Sequence, residues 1–228
     1  MRKRNRMLIA VACAAVMSAG MAVTAQAAGW AQNNGQWYYY NDSGSPLYGQ
    51  WVQDNGNWYF LDYDGTMAVS QLIDDTYYVN ESGVMITNSW RLIQDDPWSA
   101  QSHWYYFGSN GQAYEDGWKT IDGVRYHFSG RYMDTGWLED EGNVYYLTPS
   151  GATATGWQYI YSDRADDWSD QNWYYFSATG RMSRSREQSI GGADYVFDEY
   201  GRMLTGWVDR ERFTSSYYDR VSDDVNQL

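Results

Sequence analysis

Cysteine is almost absent from this 228-residue chain, and the one present, Cys13, lies in an N-terminal leader. Beyond that leader neither disulfides nor thiolates can support a fold or a mechanism. Basic residues are also few. Sixteen Lys and Arg stand against 29 Asp and Glu, and a pI near 4.4 excludes the basic stripe that displaces counterions from nucleic-acid phosphates. Anionic membrane surfaces are disfavoured on the same charge argument. Histidine occurs only as His103 and His127, and no Gly-x-Ser-x-Gly or His-Glu-x-x-His pattern is present. Hydrolase chemistry therefore has no nucleophile with its base and no metal-ligand set, and the sequence reads as non-enzymatic, with no catalytic residue, cofactor or metal. Both histidines read as variants of a repeat, and acidic pairs such as Asp74-Asp75 read as solvated turn residues. Aliphatic residues are sparse after Ala28. What the chain has instead is aromatic: 13 Trp, 23 Tyr and 6 Phe, a load that excludes disorder despite a net charge of −13.

Residues 1–27 combine Arg2, Lys3, Arg4 and Arg6 with an apolar run from Met7 to Val23 and a small-x-small site at Ala25-Gln26-Ala27. The combination is expected to be a secretory signal peptide, the run being short for a bilayer span and rich in Ala and Gly. Cleavage removes four basic residues and no acidic one, so 12 basic side chains would face 29 acidic ones, a net −17. No membrane insertion is expected after cleavage.

From Ala28 onward a repeat dominates. Glycines that close an aromatic strand recur at Gly44, Gly65, Gly83, Gly111, Gly130, Gly151, Gly180 and Gly201, a unit of about twenty residues with two longer spacings. Asn34-Gly35, Asn55-Gly56 and Asp122-Gly123 supply the positive φ values of tight hairpin turns. Each unit reads as one β-hairpin plus a connecting loop, and because an isolated hairpin is marginal the units must stack. The expected fold is all-β, an elongated solenoid of stacked hairpins, with residues 28–207 as the repeat domain and 208–228 as a partial terminal repeat and acidic tail. Aromatics must supply most of the core at about 150–250 Å² per ring. Along Trp37-Tyr38-Tyr39-Tyr40, alternation sends Trp37 and Tyr39 to one face and Tyr38 and Tyr40 to the other. All five methionines after the leader (Met67, Met85, Met133, Met182, Met203) follow a closing glycine by two or three residues. A thioether beside rings suits either gap filling or the lining of an apolar cage.

Gly-Trp at 29-30, 117-118, 136-137, 156-157 and 206-207, aromatic triplets at 37-39, 58-60, 104-106 and 173-175, and then Gly-x-Met resemble the cell-wall-binding, or choline-binding, repeats of Gram-positive surface proteins and the related glucan-binding repeats. The resemblance covers nearly all of residues 29–218. It implies quaternary ammonium groups of choline-substituted teichoic acid held between consecutive hairpins, in a secreted, cell-wall-associated protein. Electron-rich Trp and Tyr faces hold a cation that cannot donate hydrogen bonds, at about 0.5–2 kcal/mol per ring. Carried over by position, the expected cages are Trp30 and Trp37 with Tyr59, Trp51 and Trp58 with Tyr78 after Tyr77, Trp90 and Trp104 with Tyr126, and Trp157 and Trp173 with Tyr195. Met67 and Met85 are the expected edges. The third unit carries Leu72 and Thr76 in these slots and the eighth Glu187 and Asp194, which should make no cage. The fifth and sixth keep Trp118 and Trp137 but carry Arg125, expected to repel a cation, and Val144.

Two long units share an Asp-Asp-(Pro)-Trp-Ser insertion around Trp98 and Trp168, read as decorated hairpin tips or as a second glycan contact; their acidic residues match no calcium loop. Flat stacking of the same rings on sugars is the alternative reading, which would make the chain a binder of glucan, peptidoglycan or another cell-wall glycan. A structural or adhesive role, with the rings only packing, is the other. Oligomeric state is not legible.

Overall fold

The computed structural model describes residues 28–94, 100–161 and 171–206. The expected leader, the insertions with Trp98 and Trp168, Trp207 and the tail after it lie outside the described residues. All regular structure described is strand. Eight antiparallel hairpins follow one another: β1 (Gly29–Asn33) with β2 (Gln36–Tyr40), β3 (Gln50–Asp54) with β4 (Asn57–Leu61), β5 (Gln71–Ile73) with β6 (Tyr77–Val79), β7 (Ser89–Ile93) with β8 (His103–Phe107), β9 (Gly117–Ile121) with β10 (Val124–Ser129), β12 (Gly136–Asp140) with β13 (Asn143–Leu147), β14 (Gly156–Tyr161) with β15 (Gln171–Phe176), and β16 (Arg186–Ile190) with β17 (Ala193–Phe197). The fifth hairpin gains a third strand, β11 (Tyr132–Met133), paired with β10. The described residues fall into two compact units, one ending at Ala68 and one beginning at Val69.

Local chemistry explains the hairpins. Asn34 and Gly35 take φ of 49° and 82°, and Asn55-Gly56 and Asp122-Gly123 repeat the pair, so both central turn residues are left-handed as a two-residue hairpin requires. The third hairpin makes the same turn without glycine, at Asp74 and Asp75 (φ 50° and 51°), closed by the Thr76 amide on the Ile73 carbonyl.

In every second strand after β2, the last residue or the one before it has no solvent exposure: Leu61, Val79, Phe107, Phe128, Leu147, Phe176 and Phe197. All seven sit at one register position, opposite the first residue of the preceding strand, and form the innermost row of each unit. After each comes a tight turn whose chain returns to bridge that same residue, as at Leu61 with Met67 and Phe176 with Met182. Hairpins are joined by a recurring main-chain bond from the return segment to the previous hairpin's second strand: Met67 to Trp37, Ala113 to Thr76, Thr153 to Arg125, Met182 to Val144 and Met203 to Trp173, all at 2.8–2.9 Å.

The closing glycines have a packing reason as well as a conformational one. A Cβ on Gly151 (φ +79°) would fall within contact-violating distance of the Met133 sulfur, and Met85 and Met182 lie equally close to Gly111 and Gly201. These three methionines thus fill gaps beneath the next repeat's glycine. Gly151→Ala is expected to destabilise by about 1–3 kcal/mol, from overpacking and an unfavourable φ together. Adding Met133→Ala should recover the packing part only, a difference that urea unfolding of the single and double variants resolves.

Candidate functional site

In the first, fourth and seventh hairpins the first-strand tryptophan and the aromatic opposite it lie on one face: Trp30 with Tyr39, Trp90 with Tyr106 and Trp157 with Tyr175, ring centroids 5.0–5.2 Å apart and steeply inclined. Two residues toward the tip, period-two alternation puts Trp37, Trp104 and Trp173 on that same face. The next hairpin supplies a ring from its opposite face. Tyr59 meets Trp30 at 4.9 Å, Tyr126 meets Trp90 at 4.9 Å and Tyr195 meets Trp157 at 4.7 Å, at interplanar angles of 60–71°. Within the seventh interface Trp173 stands at 85° to Trp157 with 6.3 Å between centroids. The product is a three-sided aromatic box whose outer wall is open to solvent. Trp104 and Trp173 are 42% and 44% exposed, a large exposure for indoles, and Trp58 at the same position in the second hairpin is 40% exposed. Burial raises the Tyr106 phenol, which packs behind Trp90, above its ordinary value.

The structure thus brings together Trp30, Trp37 and Tyr59, then Trp90, Trp104 and Tyr126, then Trp157, Trp173 and Tyr195. Met67 is tied by its amide to the Trp37 carbonyl. Trp51 packs on Phe60 at 5.2 Å within the first unit. In the second unit the register places Tyr77, opposite Ile73, where Tyr59 lies opposite Val52. Tyr78 takes the place of Phe60 and is buried in a cluster with Phe107 and Ala113. Met85 lies against Gly111.

Three contributors were missing from the expected set. Met203 bonds through its amide to Trp173, and Met133 packs with Trp90 and Tyr126 around one cluster. The signal for both was the offset from the closing glycine, once it is understood that each methionine serves the preceding hairpin. Tyr159 lies opposite Trp173 at 5.1 Å, adding a ring to the seventh box where the first and fourth have Gln32 and Leu92.

The remaining interfaces differ in kind. At the sixth, Trp137 meets Tyr174 at 4.9 Å, but Val144 and Tyr174 are buried with Phe176 and Met182, so the seat is sealed. At the fifth, Trp118 meets Tyr145 at 4.7 Å and the Arg125 guanidinium lies 3.6 Å from the Trp118 centroid and 5.5 Å from that of Tyr145. Arg125 fills this seat, where repulsion of a cation was expected. At the third, Thr76 and Ala113 replace ring and methionine and leave an open hollow of about 640 Å³, also lined by Asn110, Gln112, Tyr114 and Lys119. Glu187 and Asp194 of the eighth are exposed. His127 occupies a strand-tyrosine position against Trp118, with Nδ1 2.6 Å from Asp134, and His103 stacks on Tyr132 at 4.0 Å. Among the described residues no group of three His, Cys, Asp or Glu is placed to hold a metal ion, and no helix is long and apolar enough to cross a membrane.

Residues 27–72 match the choline-binding repeat family, and residues 100–113, 135–152 and 168–182 match the cell wall binding repeat family. A Glucosyltransferase-S of Streptococcus mutans is 31% identical over 199 residues, covering 84% of this chain. The chain spans 13% of that relative's length. Choline binding protein F of Streptococcus pneumoniae superimposes with a TM-score of 0.58 at 27% identity, over 78% of this chain and 58% of that one. The choline-binding domain of CbpL from the same organism gives 0.57 at 28% identity, over 82% of this chain and 92% of that domain.

Proposed function

We propose, from the premise that this chain belongs to the family of choline-binding and cell-wall-binding repeats, that it is a secreted, non-catalytic module which holds choline-bearing envelope polymers, teichoic acids among them, in the aromatic boxes of its first, fourth and seventh interfaces. The observation that carries this reading is the box itself. Inclined rings from two hairpins stand around an open seat, with a half-exposed tryptophan as the outer wall. A quaternary ammonium has no hydrogen to donate and is large and weakly hydrated, so ring faces within about 6 Å are the surfaces suited to it. The acidic balance of the chain raises the local concentration of such a cation. Export by residues 1–27 and residence at the cell wall belong to the same reading.

Residues 28–228 should be retained on a tertiary- or quaternary-amine resin and released by free choline, with a change in tryptophan fluorescence on titration. Passage straight through the resin together with unchanged fluorescence would refute the choline reading.

A second reading, glycan binding, has a specific observation in its favour. The hollow at the third interface presents the amides of Asn110 and Gln112, Lys119 and the ring of Tyr114, groups suited to sugar hydroxyls and faces. The relative from Streptococcus mutans is a glucosyltransferase by name. Sedimentation with insoluble glucan that choline does not reverse would favour this reading.

A further inference from the structure

We infer that Arg125 is this chain's own ligand for the fifth interface: its guanidinium takes the seat that the open boxes offer to an external cation, closes that seat, and fastens three hairpins without help from a bound molecule. The position of Arg125 on β10, opposite Thr120, is the slot that Trp37, Trp104 and Trp173 occupy elsewhere. Around it the other walls are unchanged, since Trp118 and Tyr145 make the same inclined pair, 4.7 Å and 60°, as at the open boxes. Only the third wall is gone, and a planar cation stands in the space it would have bordered.

The distances fit occupation rather than a side chain lying loosely on the surface. A guanidinium carbon 3.6 Å from an indole centroid is at stacking distance, and 5.5 Å from Tyr145 is within the range of cation–π attraction. Guanidinium suits this seat better than ammonium, because it is flat, weakly hydrated and donates in its own plane while its face lies on a ring. That in-plane donation is used: Nη1 donates to the Thr179 carbonyl at 3.1 Å, in the turn that follows the seventh hairpin. The backbone of Arg125 is held as well. Thr153, in the methionine slot, donates to the Arg125 carbonyl from its amide at 2.9 Å and from its hydroxyl at 2.7 Å. Trp118 is oriented by its indole N–H, which donates to the Asp140 carboxylate at 2.8 Å. One side chain therefore ties β9–β10, β12–β13 and the turn after β15.

Together with Val144 at the sixth interface, Arg125 makes a closed block between the open fourth and seventh boxes. Stacking in that block is independent of ligand, and an external cation is excluded from it. The inference rests on the occupied geometry and does not depend on which ligand the open boxes take.

The test uses the full chain with Arg125→Ala and Arg125→Lys, and methylguanidinium at non-denaturing millimolar concentration as the probe. Arg125→Ala should melt about 2–4 °C below the parent. Methylguanidinium should raise that melting temperature saturably and by more than it raises the parent's, and should quench Trp118 in addition, because in the parent only the open boxes are free to take the probe and the fifth seat is filled. Arg125→Lys should melt below the parent and gain no more from the probe than the parent does, since its ammonium and stem still block the seat but lack the planar fork. An Arg125→Ala chain that melts like the parent, or that gains no more from the probe than the parent does, would overturn the inference. If Arg125→Ala does not fold, Arg125→Lys decides: a melting temperature equal to the parent's overturns the inference, and a lower one supports it.

Discussion

Replacing Trp157 by alanine is expected to cost about 3–5 kcal/mol of stability and to abolish the seventh box, the range seen when a large packed aromatic is truncated and its neighbours cannot collapse into the space. Trp157 touches Trp173, Tyr175, Tyr195 and Phe197, with centroids 4.7–6.3 Å away, so it belongs to two hairpins at once. The informative partner experiment is Trp173→Ala. Trp173 is 44% exposed and serves as the outer wall, so its removal should change stability by less than about 1 kcal/mol. Cation affinity at that interface should nevertheless fall by roughly 2- to 30-fold, the equivalent of about 0.5–2 kcal/mol for one ring. Denaturant unfolding and amine titration on the two variants separate the roles. Equal destabilisation of both would make Trp173 a packing residue and remove the outer wall from the binding argument.

Phe176→Ala should be as damaging to the fold, again about 3–5 kcal/mol, for a different reason. Phe176 is fully buried three residues after Trp173 on β15, on the opposite face, clustered with Val144, Ala154, Tyr174 and Met182. Its cross-strand partner is Gly156, which has no side chain to move into the vacated volume. In a stacked repeat each hairpin leans mainly on its neighbours, so the loss should appear first in the hairpins that adjoin β15. Hydrogen exchange resolved by segment checks this. Uniform loss of protection across residues 69–206 would show instead that this unit unfolds as one.

The spacing of glycines and aromatic triplets made the hairpins, their stacking and their tight turns legible, because each depends on residues within one unit. Asn34-Gly35 is a turn wherever it is placed between alternating strands. The pairing of Trp30 with Trp37, Trp90 with Trp104 and Trp157 with Trp173 was legible for the same reason, since period-two alternation sends both to one face. Other features were not. Tyr77 and Tyr78 are adjacent tyrosines, and only the ladder tells which one holds the position of Tyr59. The fully buried residues at the strand ends, Leu61 in the first unit and Val79 to Phe197 in the second, carry no special motif and are recognised by their depth alone. Arg125 looked like a charge that would repel a ligand, and in the structure its guanidinium stacks on the Trp118 ring. A charge in a sequence has a sign but no position, and against a ring face a cation attracts.

By itself, then, the sequence determined the repeat unit, the all-β hairpin architecture and the face of each strand on which the rings lie, all consequences of turn chemistry and a two-residue period. Tertiary structure alone decided which interfaces are open, sealed or occupied from within. That outcome depends on how the side chain in one slot (Trp173, Val144 or Arg125) meets a ring from the next hairpin, and stacking distance and angle are properties of the assembled hairpins that no single unit contains.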